Sequence, residues 1–391
     1  MAGTRRAVLG TTAGLLLAGL GYRAWERGIF AGENGPAYAP WKDWRGTPGE
    51  GPRRPLHAAI LAANPHDTQP WLFRISEDRI VIMADRTRRL GSLDPFGREM
   101  QVGLGCAIEN LAIAARAFGL GAKSVPVEGR LTAPPGDAPV TAALIELAPA
   151  AAPPNALFVA IPHRHTNRGP YRRDRAISPM RLRQFAQLVS SEDLRVAFVA
   201  EPGARRALGM LIVEATEQII ADPQMSADNA RWFHAGRREI DKHRDGVTIA
   251  TSGLSPAMIA LAEMAPDVGA RTADREWLAM TRDTQLGTAP VLGAILVRDR
   301  LDMVQAIEAG RAWQRLHLAA TVAGLAAQPL NQPVEIADRD RVLGKPEHLA
   351  TTLAKLAGMP GWDPIFVFRM GVPLRPAGLS PRRPLRAVVC A

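Results

Sequence analysis

The sequence predicts an α+β fold, and three observations carry that expectation. Helix-patterned and strand-patterned segments alternate at uneven spacing, which argues against a regularly wound parallel sheet. The chain has 391 residues, 47% of them hydrophobic, enough to bury one large core or two packed half-cores. One helical stretch also recurs: GCAIENLAIAARAFGLGA, from Gly105 to Ala122, aligns without gaps against GRAWQRLHLAATVAGLAA, from Gly310 to Ala327. Gly105, Ala107, Leu111, Ala114, Ala115, Gly119, Leu120 and Ala122 each meet the same residue type in the second stretch. Small residues on one helical face let two helices approach closely. The shared Gly-Leu ending favours duplication over a chance likeness of Ala-rich helices. A duplicated chain can fold as a covalent version of a symmetric dimer, its two central helices packed together.

The elements follow in order. Arg5 and Arg6 precede an apolar run from Ala7 to Gly21, shorter than the roughly 18–20 residues that span a bilayer. The pattern is that of a twin-arginine export signal, assigned to residues 1–32, and predicts export to the periplasm or cell envelope. No clean cleavage site precedes Arg23, so an uncleaved membrane tether stays open beside it, as does a simple anchor. Glu33 to Arg54 is rich in Gly and Pro and is expected to be an irregular leader. A helical segment, PLHAAILAA, leads into a turn; RIVIMAD (Arg79 to Asp85) is a short strand; Arg98 to Phe118 is a long apolar helix; AALIEL is a strand. The tract APAAAPPN, ending at Asn155, is the best linker, dividing a first half, 50–150, from a second, 156–391. Beyond it, Ser178 and Pro179 make an N-cap and first helical position. RVAFVA is a strand, helices are expected over Ala204–Ala221 and Asp228–His243, and Gly246–Gly287 is less regular. VLGAILV and PIFVFRMG are strands flanking a helix over Met303–Ala327.

Composition narrows the function. Two cysteines, Cys106 and Cys390, exclude a disulfide framework, and no CxxC or Cys/His cluster suggests zinc. His163 and His165, with His66, lack an acidic or Cys partner, so no metal site is expected among them. The net charge of +10 is spread along the chain and aromatics are only 5%, which argues against nucleic acid. Arginine in local clusters suits phosphate groups on small ligands, held bidentately by its planar fork. No GxSxG, P-loop or GxGxxG unit is present.

Two polar stretches remain. NPHDTQPW, Asn64 to Trp71, is a stiff turn of hydrogen-bonding groups set against a tryptophan. HRHTNR, His163 to Arg168, would if extended place Arg164, Thr166 and Arg168 on one side, the outer two about 13 Å apart. That span suits a phosphate at one end and an electron-rich ring at the other; a basic solvated loop is the bland alternative.

With the long helix ending Gly-Leu, these stretches resemble the FMN-dependent nitroreductase family. The blocks SLDPFGREMQVGLGCAIENL, GRAWQRLHLAATVAGLAAQPLNQPVE and FRMGVPLRPAGLSPRRPL are most similar to its Acg-like branch, in which two nitroreductase units are fused. The resemblance, from Leu56 to the C-terminus, implies a nitroreductase-like α+β fold, internally duplicated, monomeric but dimer-like in shape. It implies one FMN per chain, because the first half lacks an RHTNR-type strand and the second lacks a Gln-Pro-Trp turn. Arg164, His165, Thr166 and Arg168 would line the cofactor from one half, Arg164 at the phosphate and Arg168 beside the flavin ring. Asn64, His66, Asp67 and Gln69 would come from the other half's turn. Arg382 and Arg383 would return to the phosphate, and Pro329, Leu330 and Asn331 would lie by the reactive edge. Asp67 stands where the family has Asn and cannot donate while ionised.

The activity implied is hydride transfer through flavin N5, from NAD(P)H or another donor to a small electron-poor acceptor, with Arg168 stabilising negative charge on the reduced ring. No catalytic side chain beyond that is implied, nor any nucleic-acid or protein partner. In Acg-like proteins an inserted segment can lie over the flavin, a role expected of 246–287. The competing reading is therefore an FMN-sequestering protein with a lid that blocks substrate.

Overall fold

The computed structural model describes residues 32–265 and 269–390; the expected export signal, all but its last residue, falls outside them. Five strands build the first sheet: β1 (Trp71–Ile75), β2 (Arg79–Ala84), β3 (Leu120–Pro126) and β4 (Val140–Pro149), ordered β1-β2-β4-β3, and a short C-terminal strand that joins beside β1. Next in the chain come β5 (Leu194–Val199) and a short parallel pair, β6 (Phe233–His234) and β7 (Val247–Thr248). With β8 (Val291–Val297), β9 (Ala326–Pro329) and β10 (Asp363–Gly371), β5 forms a second sheet, ordered β5-β8-β10-β9. Neighbours within each set of four are antiparallel. In both, the first two strands pair, a helix follows, and the third strand lies at the edge beyond the fourth.

Those two helices are α1 (Arg98–Ala117) and, after the intervening helices, the one over Met303–Val322. Between them lie α2 (Pro179–Val189), α3 (Pro202–Ala221), α4 (Pro223–Ala230), α5 (Arg237–His243), α6 (Pro256–Met264) and α7 (Ala270–Ala279). Met303–Val322 is therefore α8, and α9 (Gln332–Val342) and α10 (His348–Leu356) follow. The aligned glycines Gly119 and Gly324 both take left-handed backbone, φ +82° and +70°, just past the ends of α1 and α8. Only glycine adopts that conformation at little cost, so the same residue stops both helices and starts the following strand.

The two helices cross at the aligned pair Gly105 and Gly310. A Cβ on Gly105 would lie 2.1 Å from the Ile307 carbonyl oxygen and 3.0 Å from the Gly310 Cα. One on Gly310 would lie 2.0 Å from the Val102 oxygen. Polar bonds fix the register: Gln314 donates to Asn110 at 2.7 Å, Asn110 donates to the Ala58 carbonyl at 2.9 Å, and Glu109 pairs with Arg311 and Arg315.

Several elements differ from the sequence expectation. The single helix expected over Asp228–His243 is broken into α4, β6 and α5, because Gly236 (φ +78°) turns the chain and β6 finds a partner in β7. The helix expected to reach Ala327 stops at Val322, and Ala326–Pro329 pairs with β10. Glu33–Arg54 does not hang free: Tyr38, Trp41 and Trp44 are buried in the main core. Gly246–Gly287 carries α6, α7 and a π-type turn over Met280–Leu286. The C-terminus does not stay with the second half, since β11 (Val389–Cys390) runs parallel to β1, pairing Phe73 with Val389. Among the described residues no helix is long and apolar enough to cross a membrane.

The crossing yields a prediction. Gly105→Ala and Gly310→Ala should each destabilise the chain by about 1–3 kcal/mol, the usual cost of overpacking a close contact. Gly136→Ala, with nothing within 4 Å of the added carbon, is the control. Urea unfolding midpoints measure the difference.

Candidate functional site

The turn from Asn64 to Trp71 is held by its own first residue. Asn64 Oδ1 accepts the Gln69 N–H at 2.7 Å, while its Nδ2 donates to the Ala62 carbonyl and to Asp67 Oδ1, both at 3.2 Å. His66, Asp67 and Gln69 sit at φ of 46°, 55° and 50°, a conformation costing roughly 1 kcal/mol or more at each non-glycine residue. The turn rests on α1 at Gly103, where a Cβ would lie 2.9 Å from the Pro65 ring. Gln69 is buried and spent on backbone: it donates to the Arg244 carbonyl at 2.8 Å and accepts the Arg383 N–H at 2.7 Å. Trp71 is buried at the start of β1.

The segment HRHTNR meets β9 at one residue, Thr166, through a single parallel bridge to Ala327, and the Asn167 N–H donates to the Ala327 carbonyl. It is therefore not a full strand. Arg369 of β10 holds it in place, donating to the Asn167 and Gly169 carbonyls at 3.1 and 2.7 Å and stacking on Tyr171 at 3.9 Å. Sequence reasoning missed Arg369; its signal was a charge inside the otherwise apolar strand PIFVFRMG.

Arg164 is 2% exposed. It donates to the Leu61 carbonyl at 3.0 Å and lies 3.5 Å from His317 Nδ1 on α8, and its Nε has no partner among the described residues. Arg382, also buried, pairs with Asp67, donates to Ser380 Oγ at 2.7 Å, and likewise leaves Nε without a partner. Burial, then the neighbouring Arg382 charge, lowers the Arg164 pKa to about 10. Two buried guanidiniums thus share one carboxylate. Burial raises Asp67 to about 7 against the pull of Arg382, so even that carboxylate gives up part of its charge near neutral pH. Such a surplus of buried positive charge, with donors aimed at no acceptor, is what an anion would satisfy.

The remaining expected residues divide. His165 packs edge-on to Trp41 at 4.6 Å, and burial with the two arginines pushes its pKa down to about 3, so it is neutral. Trp41, under the Arg382 guanidinium at 5.0 Å, is a second residue the sequence did not reveal. Arg168 donates to the Thr251 carbonyl at 3.1 Å, close enough to Asp67 for each charge to support the other. Arg383 turns away from the Arg164 cluster, toward the Gln69 and Ala387 carbonyls and Asp85. It parts from Arg382 because the Gln69 side chain captures its backbone.

His66 Nε2 lies 2.8 Å from Asn229 Oδ1 of α4; burial lowers its pKa while the Glu99 carboxylate opposes the shift. Asn331 donates to Glu99 at 3.0 Å and accepts the Val367 N–H at 2.8 Å, beside the buried side chain of Leu330; Pro329 ends β9. Burial raises Asp94 to about 7 and Glu335 well above the carboxylate range, with Glu99 adding to both. His66 thus feels the charge of both Glu99 and Arg168. His163, exposed, and His165, against Trp41, do not join His66.

The second sheet's first connection covers this region. Where Ser76–Asp78 joins β1 to β2, the whole stretch from Ala200 to Pro290 joins β5 to β8. The Gly246 N–H donates to the Asp67 carbonyl at 3.1 Å. Gly253 (φ +90°) lies so close that a Cβ would sit 2.3 Å from the Arg168 carbonyl carbon. Asn229 belongs to the same cover, which therefore begins before Gly246. A cavity of about 450 Å³ between α2 and the end of α8 is lined by Leu157, Arg181, Phe185 and Val322, and by none of the residues above.

No family model matches the chain. It is similar to two Mycobacterium tuberculosis proteins, Rv3131 and MT3217, both provisionally named NAD(P)H nitroreductases. Each is 24% identical over 341 residues, covering 86% of this chain and 90% of theirs. Among solved structures it is similar to the FMN-dependent nitroreductase NfnB of Mycobacterium smegmatis in complex with NADPH, at 16% identity and a TM-score of 0.38, over 60% of this chain and 97% of that one. A structure provisionally named a nitroreductase, from Anabaena variabilis, gives 10% identity and a TM-score of 0.42, over 75% of this chain and 69% of that one. Both scores are too low to bear on the site. Along most of its length the chain is nitroreductase-like in sequence, and its fold is α+β.

The buried Asp67 gives a pH prediction. Its folded pKa, about 7, lies above the 3.8 of an exposed carboxyl, so its contribution to stability is present in full below pH 4 and is lost as pH rises toward 7. Asp67→Asn removes that dependence. Its stability relative to wild type should rise by about 1–3 kcal/mol between pH 5 and pH 8. Urea unfolding at the two values tests this; equal differences at both would show that Asp67 is ionised throughout.

Proposed function

We propose that the chain is an FMN-binding oxidoreductase that takes a hydride from NAD(P)H and delivers it to a small electron-poor acceptor. The observation that carries the reading is the buried pair Arg164 and Arg382, each with a donor lacking a partner, set against the Asn64–Trp71 turn. A phosphate monoester matches that charge surplus, and Arg164, His165, Thr166 and Arg382 are the residues that would hold it. Bound FMN would supply the hydride chemistry. The protein's part is placement and charge: the rigid turn and Trp41 fix the edges of the site, Arg168 supplies positive charge, and burial makes the Asp94 and Glu335 carboxyls hold their protons more tightly than exposed ones.

The same reading takes the chain as a duplicated, Acg-like protein. Matched strand orders, matched helix-ending glycines and the Gly105–Gly310 crossing support an internal pseudo-dimer with one site. Arg5 and Arg6 before an apolar run support twin-arginine export to the cell envelope, with or without a retained tether. A second reading, FMN storage, is favoured by one observation: the cover donates to Asp67 and accepts from Arg168.

Purified protein should show a flavin absorption spectrum, close to one FMN per chain, and elute as a monomer. Anaerobic NADPH should bleach it if the chain is a reductase and leave it unchanged if it stores flavin. Two flavins per chain, or an obligate homodimer, would remove the pseudo-dimer reading.

The two arginines should fail differently. Arg164→Ala should weaken FMN binding in both redox states, since phosphate charge does not change on reduction. Arg168→Ala should bind oxidised FMN only modestly worse but lower its midpoint potential, by about 30 mV for each 1.4 kcal/mol lost in the reduced state alone. Dye-equilibrated redox titration of both variants decides; a shift confined to Arg164→Ala would reverse the assignment.

A further inference from the structure

We propose that His234, His243 and Asp245 form a binding site for a divalent transition-metal ion of the zinc class, on the segment that covers the turn. One ligand atom from each lies within 4.8 Å of the other two. His234 Nε2 is 2.9 Å from Asp245 Oδ1, a spacing that two adjacent ligands of one ion adopt at metal–ligand distances of about 2.0–2.2 Å. The ion would replace the proton now shared in that bond.

The backbone is shaped to bring these groups together. The pairing of His234 with Thr248 sets β6 beside the chain that leaves Asp245. Arg244, at φ 58°, turns the chain sharply between His243 and Asp245. Gly246, at φ +79°, lets the His234 ring lie on the main chain, for a Cβ there would be 2.5 Å from His234 Cδ2. The His243 ring stacks on that of His234, centroids 4.7 Å apart and planes 8° from parallel. Parallel rings do not aim two lone pairs at one point, so binding requires His243 to turn. Its side chain is 40% exposed and, apart from that stacking, its one polar partner among the described residues is Glu239 at 3.2 Å, which leaves it room to do so.

The surroundings cut both ways and decide the class of ion. Arg88 pairs with the second oxygen of Asp245, orienting the carboxylate as outer-shell partners of metal ligands do, while its charge opposes a dication. Glu239 beside His243 offsets that charge. Two imidazoles and one carboxylate favour Zn(II) and its neighbours over Mg(II) or Ca(II), which seek oxygen ligands throughout. Three protein ligands leave a position for water. Because Gly246 donates to the Asp67 carbonyl, a bound ion would stiffen the cover where it meets the turn.

Titrating Zn(II) into chelator-stripped full-length protein by calorimetry should give one site per chain, and Zn(II) should raise the thermal unfolding midpoint. His234→Ala and His243→Ala should each weaken affinity by about tenfold or more, the loss seen on removing even an outer-shell partner. Both should lose the thermal shift, and Mg(II) should give neither signal. His243, being exposed, keeps the test decisive if His234→Ala does not fold. No Zn(II) uptake by wild type, or unchanged uptake by His243→Ala, as binding at Cys390 would produce, overturns the proposal.

Discussion

The contact of Gly105 with Gly310 sets the distance between the two halves, and the candidate site inherits that distance. The turn rests on α1 through Gly103 and Pro65, while Arg164 reaches the Leu61 carbonyl from one side and His317 of α8 from the other. A side chain at the crossing would part the helices and pull the two sets of contacts in different directions. Protein interiors pack too densely to absorb such a shift locally. The glycines are therefore as much a condition of the site as the arginines that line it.

Two groups of buried charge show what separates scaffold from site. Arg98 and Arg300 are almost wholly buried, yet both bond to Asp338, and Arg300 also meets Asp363 and Glu347. Every charge there has an opposite charge in contact, so the network is complete and ties α1, α9 and β10 together. Around Arg164 and Arg382 the count does not close. One carboxylate serves two guanidiniums, several buried polar atoms lack partners among the described residues, and burial pulls the carboxylate toward neutrality. Leaving buried polar groups unpaired costs about 1–3 kcal/mol each. A ligand bound among them would offset that cost.

Much of this was legible in the sequence, and the limits were physical. The repeat around Gly105 and Gly310 was visible because close helix packing restricts residue types at fixed spacing. Ser178 before Pro179 was legible because capping is local, and Ser178 does accept the Arg181 N–H. Long-range pairing was not. Strands β1, β3 and β9 are defined by partners distant in the chain, and Ala326–Pro329 continues an Ala-rich helical pattern until Gly324 breaks it. The polar stretches stood out in the sequence, yet it could not say that Gln69 would spend its side chain on backbone and draw Arg383 away. Trp41 and Arg369 join the site only through the tertiary fold, one from a Gly/Pro-rich stretch and one from a buried strand.

The cover over the site recasts the choice between catalysis and storage as a question of energy. Its contacts with the site include three hydrogen bonds: Gly246 to the Asp67 carbonyl, Arg168 to the Thr251 carbonyl, and His66 with Asn229. At about 1 kcal/mol net apiece, these three alone would hold an open state near 1% of molecules. A population of that size would still admit a small molecule, so such a cover would slow turnover rather than forbid it. The pairs Arg88–Asp245 and Ser92–Asp228 fasten the same segment further from the site and deepen the closed state. Under the proposed function, storage and catalysis would call on the same binding residues and differ in how firmly these outer contacts hold, and those contacts lie on side chains outside the Arg164–Arg382 cluster.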